Sequence, residues 1–128
     1  MKKILFFLSC MLLLASCQKL DDNGDLGGNW KMLQLEEFER DTVIDTRQDD
    51  RFWAIQLDLM HLTGGHTEGK GRFQHVGDSL YVQRIYIPVN YRYYGLYNPK
   101  DDRFEVIHLD RKKMILKSKY VKLDFRKF

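Results

Sequence analysis

Short runs of alternating apolar and polar residues recur along most of this chain, and they restrict it to folds built from β-strands. The run at residues 53–59 (WAIQLDL) predicts one strand with four apolar side chains on a single face: Trp53, Ile55, Leu57 and Leu59. The run at residues 121–126 predicts another, with Val121, Leu123 and Phe125 on the face opposite Lys122, Asp124 and Arg126. Residues 80–87 and 104–109 are rich in β-branched and aromatic residues and predict further strands.

Turn signals separate these runs. Gly77-Asp78 predicts a tight turn, and residues 110–112 predict a hairpin. Residues 63–71 (TGGHTEGKG) predict a glycine-rich connection, whereas residues 30–38 suit either a strand or a short helix. With about seven or eight short strands and few helical patterns, the chain is expected to be all-β. The expected architecture is an antiparallel up-and-down β-barrel, with a β-sandwich as the alternative.

The N-terminal segment differs in composition from the rest and predicts a secretory leader. Lys2 and Lys3 precede an apolar run at residues 4–15, and small residues follow just before Cys17. This run is too short to cross a membrane, which takes about 20 apolar residues. The sequence therefore predicts export of the chain.

The sequence Leu14-Ala15-Ser16-Cys17 resembles the lipobox of bacterial lipoproteins, with a plain secretory leader as the alternative. The resemblance implies that residues 1–16 are removed and that Cys17 carries a diacylglycerol and an amide-linked acyl chain such as palmitate. Residues 17–27 would then be a flexible tether, and residues 28–128 the folded domain. Gln18, rather than Asp, follows the cysteine. This favours the outer membrane, on either its surface or its periplasmic side.

Cysteine and charge counts exclude several other classes. Cys10 leaves with the leader and lipid occupies Cys17, so the folded domain is expected to have neither a free thiol nor a disulfide. Bases exceed acids by only three in the whole chain, which gives no argument for a nucleic-acid partner. Acids predominate in residues 18–50 and bases in residues 100–128. These two ends would attract each other if they lay side by side.

Gly28-Asn29-Trp30, directly after the tether, resembles the G-x-W signature of lipocalins. In that family the tryptophan closes one end of an eight-stranded barrel, and an arginine of the last strand packs across its indole ring. The resemblance assigns the arginine role to Arg126. Lipobox, tether, G-x-W and the final strand together look like the small lipocalin-like lipoproteins of Bacteroidota-type bacteria. A domain of this length is short for a lipocalin, which argues against a large internal cavity.

Other motifs lack the residues that their chemistry requires. Residues 64–71 approach the phosphate-binding pattern G-x-x-x-x-G-K, but Gly71 stands where a Ser or Thr would reach Mg²⁺. His61, His66 and Glu68 are close in sequence without the spacing of a zinc motif, so no metal site is expected. No serine stands in G-x-S-x-G, and the paired acids are adjacent and would point to opposite faces of a strand. We therefore expect no cofactor and no enzymatic activity.

Two binding functions remain as hypotheses. In the first, the open end of the barrel holds a small apolar or amphipathic ligand and is lined by Trp53, Leu57, Tyr81, Tyr86 and Tyr91. In the second, the core is filled, and the chain binds another protein, as an inhibitor or accessory subunit, through Tyr93, Tyr94 and Tyr97. A third interpretation gives the tyrosines no binding role, because aromatic residues are frequent in any strand.

Overall fold

The part of the chain that the structure describes folds mostly into nine antiparallel strands. The computed structural model describes residues 24–64, 68–86, 91–98 and 100–128. Two 3-10 helices lie at Gly24–Leu26 and Tyr91–Tyr94. The strands are β1 (Gly28–Glu37), β2 (Thr42–Asp45), β3 (Phe52–Gln56), β4 (Leu59–Thr63), β5 (Gly69–Val76), β6 (Ser79–Tyr86), β7 (Asp101–Leu109), β8 (Lys113–Lys117) and β9 (Val121–Lys127).

The strands close into a barrel. Each of β3 to β9 pairs with its neighbour in sequence, and β1 pairs with both β3 and β9, which completes a ring of eight strands. The one strand outside this ring is β2, which pairs with the half of β1 that β3 does not reach. This confirms the prediction of an all-β up-and-down barrel, and the sandwich alternative is wrong. The ambiguous residues 30–38 are largely strand, within β1.

The β1 edge holds two successive strands because the chain between them is fixed to it. Residues 34–37 of β1 pair with β2, and residues 28–31 pair with β3. Between these, the Thr46 hydroxyl donates to the carbonyl oxygen of Met32 at 2.7 Å, and Met32 N donates to the carbonyl oxygen of Arg51 at 2.8 Å. Arg51 is thereby positioned just before β3, where it is largely buried.

The single strand predicted at residues 53–59 is wrong, because the structure contains a hairpin there. Gln56 pairs with Leu59, so Leu57 and Asp58 form a two-residue turn. Leu57 has a φ of 56°, a conformation that turns of this kind normally give to Asn, Asp or Gly. Leu57 is 62% exposed, while Trp53 and Ile55 remain buried as predicted. The alternation continued through the turn by chance and concealed it.

Two of the remaining turn predictions are confirmed, whereas the connection predicted at residues 63–71 is shorter than expected, because Thr63 belongs to β4 and residues 69–71 belong to β5. Gly77-Asp78 connects β5 to β6, and residues 110–112 connect β7 to β8. In β9 the predicted inner face of Val121, Leu123 and Phe125 is fully buried. The alternation therefore gave the correct inward face wherever no turn interrupted it.

The barrel interior is packed with large apolar side chains. Two tryptophans, Trp30 and Trp53, lie in it with no exposed surface. The folded unit also includes Leu26, which is fully buried in the first 3-10 helix. The fold therefore extends upstream of the expected boundary at Gly28 and takes in residues 24–27, which had been assigned to the tether. In the ranges that the structure describes, no helix is both long and apolar enough to cross a membrane.

Candidate functional site

Trp30 closes one end of the barrel, the end formed by the turns β3–β4, β5–β6 and β7–β8. Its indole Nε1 donates a hydrogen bond of 2.8 Å to the carbonyl oxygen of Leu26, which fixes the first 3-10 helix beneath the barrel. Lys127 lies across the ring, with its Nζ 4.8 Å from the ring centroid. Gly28 has a φ of 133°, a conformation that residues with a Cβ rarely adopt, so position 28 favours glycine. We call this the closed end.

The assignment of the stacking cation to Arg126 is wrong. Trp30 pairs directly with Lys127 across β1 and β9, so these two side chains lie on the same, inner side of the sheet. Arg126 pairs with Lys31 and is exposed on the outer side. Successive residues of a strand point to opposite faces, and a shift of one position therefore exchanges the two cations.

The opposite end, the mouth, is filled by the connection between β6 and β7. Residues 91–98, which we call the plug segment, place Tyr94 and Leu96 in the core with no exposed surface. The indole Nε1 of Trp53 donates to the carbonyl oxygen of Tyr94 at 3.0 Å. The Trp53 ring also contacts Phe104 and Phe125, at centroid distances of 5.6 and 4.9 Å. A buried hydrogen bond therefore joins the plug segment to the aromatic centre of the core.

Arg51 forms a second connection between the plug segment and the barrel. Its Nη1 donates to the carbonyl oxygen of Tyr93 at 3.0 Å, and its guanidinium carbon lies 3.8 Å from the centroid of the Tyr93 ring. Nη2 forms an ion pair with Asp49 at 2.8 Å. A planar guanidinium can stack on a ring while it donates to two separate acceptors, which the ammonium group of lysine cannot do. Tyr93 is thus half-buried beneath a cation.

Tyr97 and Gly95 fix the rim of the mouth. The Tyr97 hydroxyl donates to Glu37 Oε2 at 3.0 Å, and its ring stacks on Tyr120 at 5.7 Å. Burial, followed by the hydrogen bond to Glu37, raises the pKa of Tyr97 to about 12. Gly95 has a φ of 87°, and a Cβ there would lie 2.6 Å from Leu123 Cδ1. The segment therefore approaches the barrel wall too closely for a side chain at position 95.

Asp102 fixes the far end of the plug segment. It is 4% exposed at the start of β7, and its Oδ1 accepts hydrogen bonds from the backbone N–H groups of Tyr97 and Asn98, at 3.1 and 3.2 Å. The periodicity gave no signal for this residue, because a buried carboxylate in a strand looks like any polar residue of the outer face. Its contacts suggest that it acts as a turn-stabilising group.

The residues predicted to line a ligand site lie in separate places. Trp53 lies in the core, and Tyr91 packs, partly buried, against it. Leu57 is exposed at the closed end, whereas Tyr81 and Tyr86 are 42% and 66% exposed on β6. Of the three residues assigned to partner binding, Tyr94 is buried, and Tyr93 and Tyr97 are half-buried in the contacts given above.

An open cleft crosses the outer side of β5, β6 and β7. It has a volume of about 650 Å³, and two arginines, Arg72 and Arg103, lie in it beside Tyr81. The Arg103 guanidinium carbon is 5.6 Å from the centroid of the Tyr81 ring. We call this the outer cleft; its other lining residues include Asp58, Gln74, Gln83, Asn98 and Asp101.

The histidines do not converge on one another in the described ranges, where no three His, Cys, Asp or Glu side chains stand close enough to hold a metal ion. His108 instead pairs with Asp110 at 2.6 Å and contributes most to lowering the pKa of that carboxyl to about 2. His66, one of the residues weighed for zinc, lies outside the described residues, as do Cys17 and the leader.

Comparison with known families decides the assignment. The family described as "Lipocalin-like domain" matches residues 11–128. This chain belongs to that family. The description "Prokaryotic membrane lipoprotein lipid attachment site" matches residues 1–18. The predicted lipocalin-like lipoprotein is therefore confirmed, and the chain is a membrane-anchored lipoprotein.

Two solved structures share the fold. A lipocalin-like protein from Bacteroides uniformis has 24% identity and a TM-score of 0.68, over 82% of this chain and all of that one. An uncharacterized protein from Bacteroides eggerthii has 18% identity and a TM-score of 0.62, over 80% of this chain and 98% of that one. A search of curated proteins gave no match. The lipocalin-like fold is generally non-enzymatic.

Proposed function

We propose that this lipocalin-like lipoprotein is a non-catalytic interaction protein of the outer membrane, with a filled barrel and a binding surface on its outer side. The observation that supports this most strongly is the position of Tyr94 and Leu96, which occupy the mouth without exposed surface. In a barrel of eight strands the interior is just wide enough for side chains or for one small ligand. Side chains from the plug segment take that space.

The outer cleft has the composition of a protein-binding surface. Tyr81 and Arg103 lie against each other there, and tyrosine and arginine are among the residues that contribute most to binding energy at interfaces. Arg72 adds a second cation, and Asp58 and Asp101 supply acceptors. Tyr86, exposed farther along the same strand, extends the aromatic surface. Tyr81, first assigned to an internal ligand site, thus lines an external one.

Site-specific photocross-linking in the source cell tests this proposal. A benzoylphenylalanine at Gln83, in the outer cleft, is expected to give one discrete cross-linked product. The same probe at Val43, which is 59% exposed on β2 at the opposite side of the ring, is expected to give none. Arg103→Ala should lower the yield about fivefold or more, the effect of losing about 1 kcal/mol of binding energy. Arg111→Ala, an exposed arginine outside the cleft, should leave it unchanged. Equal labelling from both probe positions would contradict the proposal.

A small apolar ligand inside the barrel is the second candidate function. The observation that favours it is that the interior is apolar and includes three adaptable side chains, Met32, Met60 and Met114. Native mass spectrometry of the protein, purified gently from its own host, distinguishes the two candidates. An extra mass that is lost on denaturation would favour the ligand function, and a bare chain would favour the filled barrel.

A further inference from the structure

A row of cations crosses the outer side of the sheet near the closed end. Lys31 on β1 pairs directly with Arg126 on β9, and Arg126 pairs directly with Lys113 on β8. We call these three residues the basic row. Like charges that face each other directly across strands are destabilising. In the part of the chain that the structure describes, none of the three has a carboxylate within ion-pair distance.

The same strands are charge-matched near the mouth. There Glu36 pairs with Lys122, which pairs with Lys117, and Lys117 pairs with Glu105. The attraction expected between the acidic and basic ends of the domain is thus present at the mouth, and among the described residues the basic row takes no part in it. Asp124, two residues from Arg126 on β9, is the one acid on the same side of that strand.

Further cations and exposed apolar side chains surround the basic row. Arg111 and Lys112 are exposed in the β7–β8 turn, next to Lys113. Phe128 is 81% exposed, and its ring packs edge-on against Phe52 at 5.8 Å. Phe52 is the β3 partner of Lys31, so this aromatic pair continues the basic row across a fourth strand. Leu57 is exposed in the turn at the same end. Acids at this end include Asp58 and Asp78, in the β3–β4 and β5–β6 turns, and Asp110, which pairs with His108.

The chain enters the fold at this same end. The first 3-10 helix lies beneath Trp30, and Lys127 Nζ donates to the carbonyl oxygen of Asp25 at 2.8 Å. Cys17, the lipid attachment residue, precedes Gly24 by a segment that spans at most about 25 Å when fully extended. The anchor therefore keeps the closed end, and not the mouth, near the membrane surface.

We infer that the closed end docks on the membrane through the basic row, which binds the phosphate groups of anionic lipids while Phe128 enters the interfacial region. Cations beside aromatic and aliphatic side chains are the composition by which proteins bind an anionic membrane surface. Docking rests on the lipid anchor at Cys17, which raises the local concentration of lipid. Docking in turn orients the barrel with its mouth away from the bilayer.

Depth-dependent quenching in reconstituted vesicles tests this inference with the mature, lipidated chain. That chain has no other cysteine, so Gln56→Cys at the closed end and Glu39→Cys at the mouth each accept one fluorophore. In vesicles of phosphatidylethanolamine and phosphatidylglycerol, spin-labelled lipid should quench the label at position 56 and not the label at position 39. In phosphatidylcholine vesicles, quenching at position 56 should fall strongly.

Matched charge variants separate docking from general electrostatics. Replacing Lys31, Lys113 and Arg126 by Gln should lower the ratio of docked to undocked protein on the order of 100-fold, since each cation near an anionic surface contributes about 1 kcal/mol. Replacing Lys117, Lys119 and Lys122, at the mouth, removes the same charge and should leave docking unchanged. Equal effects of the two triple variants would overturn the inference. Quenching at position 56 that is the same in both kinds of vesicle would also overturn it. That result is expected if the carboxylates of Asp21 and Asp22 in the tether neutralise the basic row. Membrane fractionation of every variant verifies that the anchor is intact.

Discussion

Lys127 Nζ lies 4.8 Å from the centroid of the Trp30 ring and donates to the carbonyl oxygen of Asp25 at 2.8 Å. One side chain thus joins the last strand, the first strand and the segment that leads to the lipid anchor. The ammonium group replaces the arginine that the family resemblance assigned to this contact. The closed end therefore depends on position 127, which points inward, and not on position 126.

Alanine substitutions at these two positions are expected to have different effects. Lys127→Ala should lower the free energy of unfolding by about 1 kcal/mol, because it removes a partly desolvated cation–π contact. Arg126→Ala, at an exposed position, should change it by less than about 0.5 kcal/mol. Urea denaturation of residues 18–128 measures both values. A larger effect at position 126 than at position 127 would restore the original assignment.

Gly95→Ala should destabilise the fold more than Gly77→Ala. Both glycines have a positive φ, which adds roughly 1–2 kcal/mol for a residue with a Cβ. A Cβ at position 95 also meets Leu123 Cδ1 at 2.6 Å, whereas nothing lies within 4 Å of one at position 77. The cost of the positive φ is common to both variants. The difference between their Tm values therefore measures how tightly the plug segment contacts the barrel wall. Equal losses of stability would mean that this contact relaxes freely.

The stability of the mouth is expected to depend on pH through Tyr97. Burial and the hydrogen bond to Glu37 raise its pKa from 10.0 to about 12, so the folded state favours the protonated phenol. The stabilisation is present in full below about pH 10 and is lost as the pH rises toward 12. Ultraviolet titration should show Tyr97 as a phenol that ionises late, and Tyr97→Phe should lower the number of late-ionising phenols by one. If the same number of late-titrating phenols is found in both proteins, Tyr97 is not bonded as described.

Membrane attachment is expected to require Cys17. Cys17→Ser removes the sulfur that accepts the lipid, so the protein should leave the membrane fraction and lose label from radioactive palmitate. The substitution lies outside the barrel and should leave the thermal unfolding of the domain unchanged. A Cys17→Ser protein that still fractionates with membranes would contradict lipid attachment at this residue.

The strand pattern was predictable wherever side chains alternate between core and solvent, as in β9, where the buried set matched the alternation. It was not predictable at Leu57-Asp58, because Leu57 is not a preferred turn former and the apolar period continued through the turn. The sequence also did not show that Trp30 pairs with Lys127 on the inner side and Lys31 with Arg126 on the outer side. These pairings depend on the register of β1 on β9, which a single sequence does not encode locally.

The filling of the mouth was harder to predict than the strands. Tyr94 and Leu96 lie in a connection, and residues of a connection have no periodicity that assigns them to the inside or the outside. Their burial follows from contacts far along the chain, such as the hydrogen bond from Trp53 to the carbonyl oxygen of Tyr94. The tyrosine-rich composition was therefore visible in the sequence, but its division into buried and exposed residues was not.

Titration with a fluorescent fatty acid tests the filled barrel most directly. The wild-type protein is expected to show no saturable binding, because Tyr94 and Leu96 occupy the mouth. Tyr94→Ala should still exclude the fatty acid, which is larger than the space that one tyrosine side chain leaves, but it should gain a site for a small apolar molecule such as benzene, since an apolar cavity made by truncation stays dry and accepts apolar ligands. Tyr86→Ala, an exposed control, should not, and circular dichroism should show that both variants are folded. Saturable binding of one probe per wild-type barrel would contradict the account and favour an internal ligand.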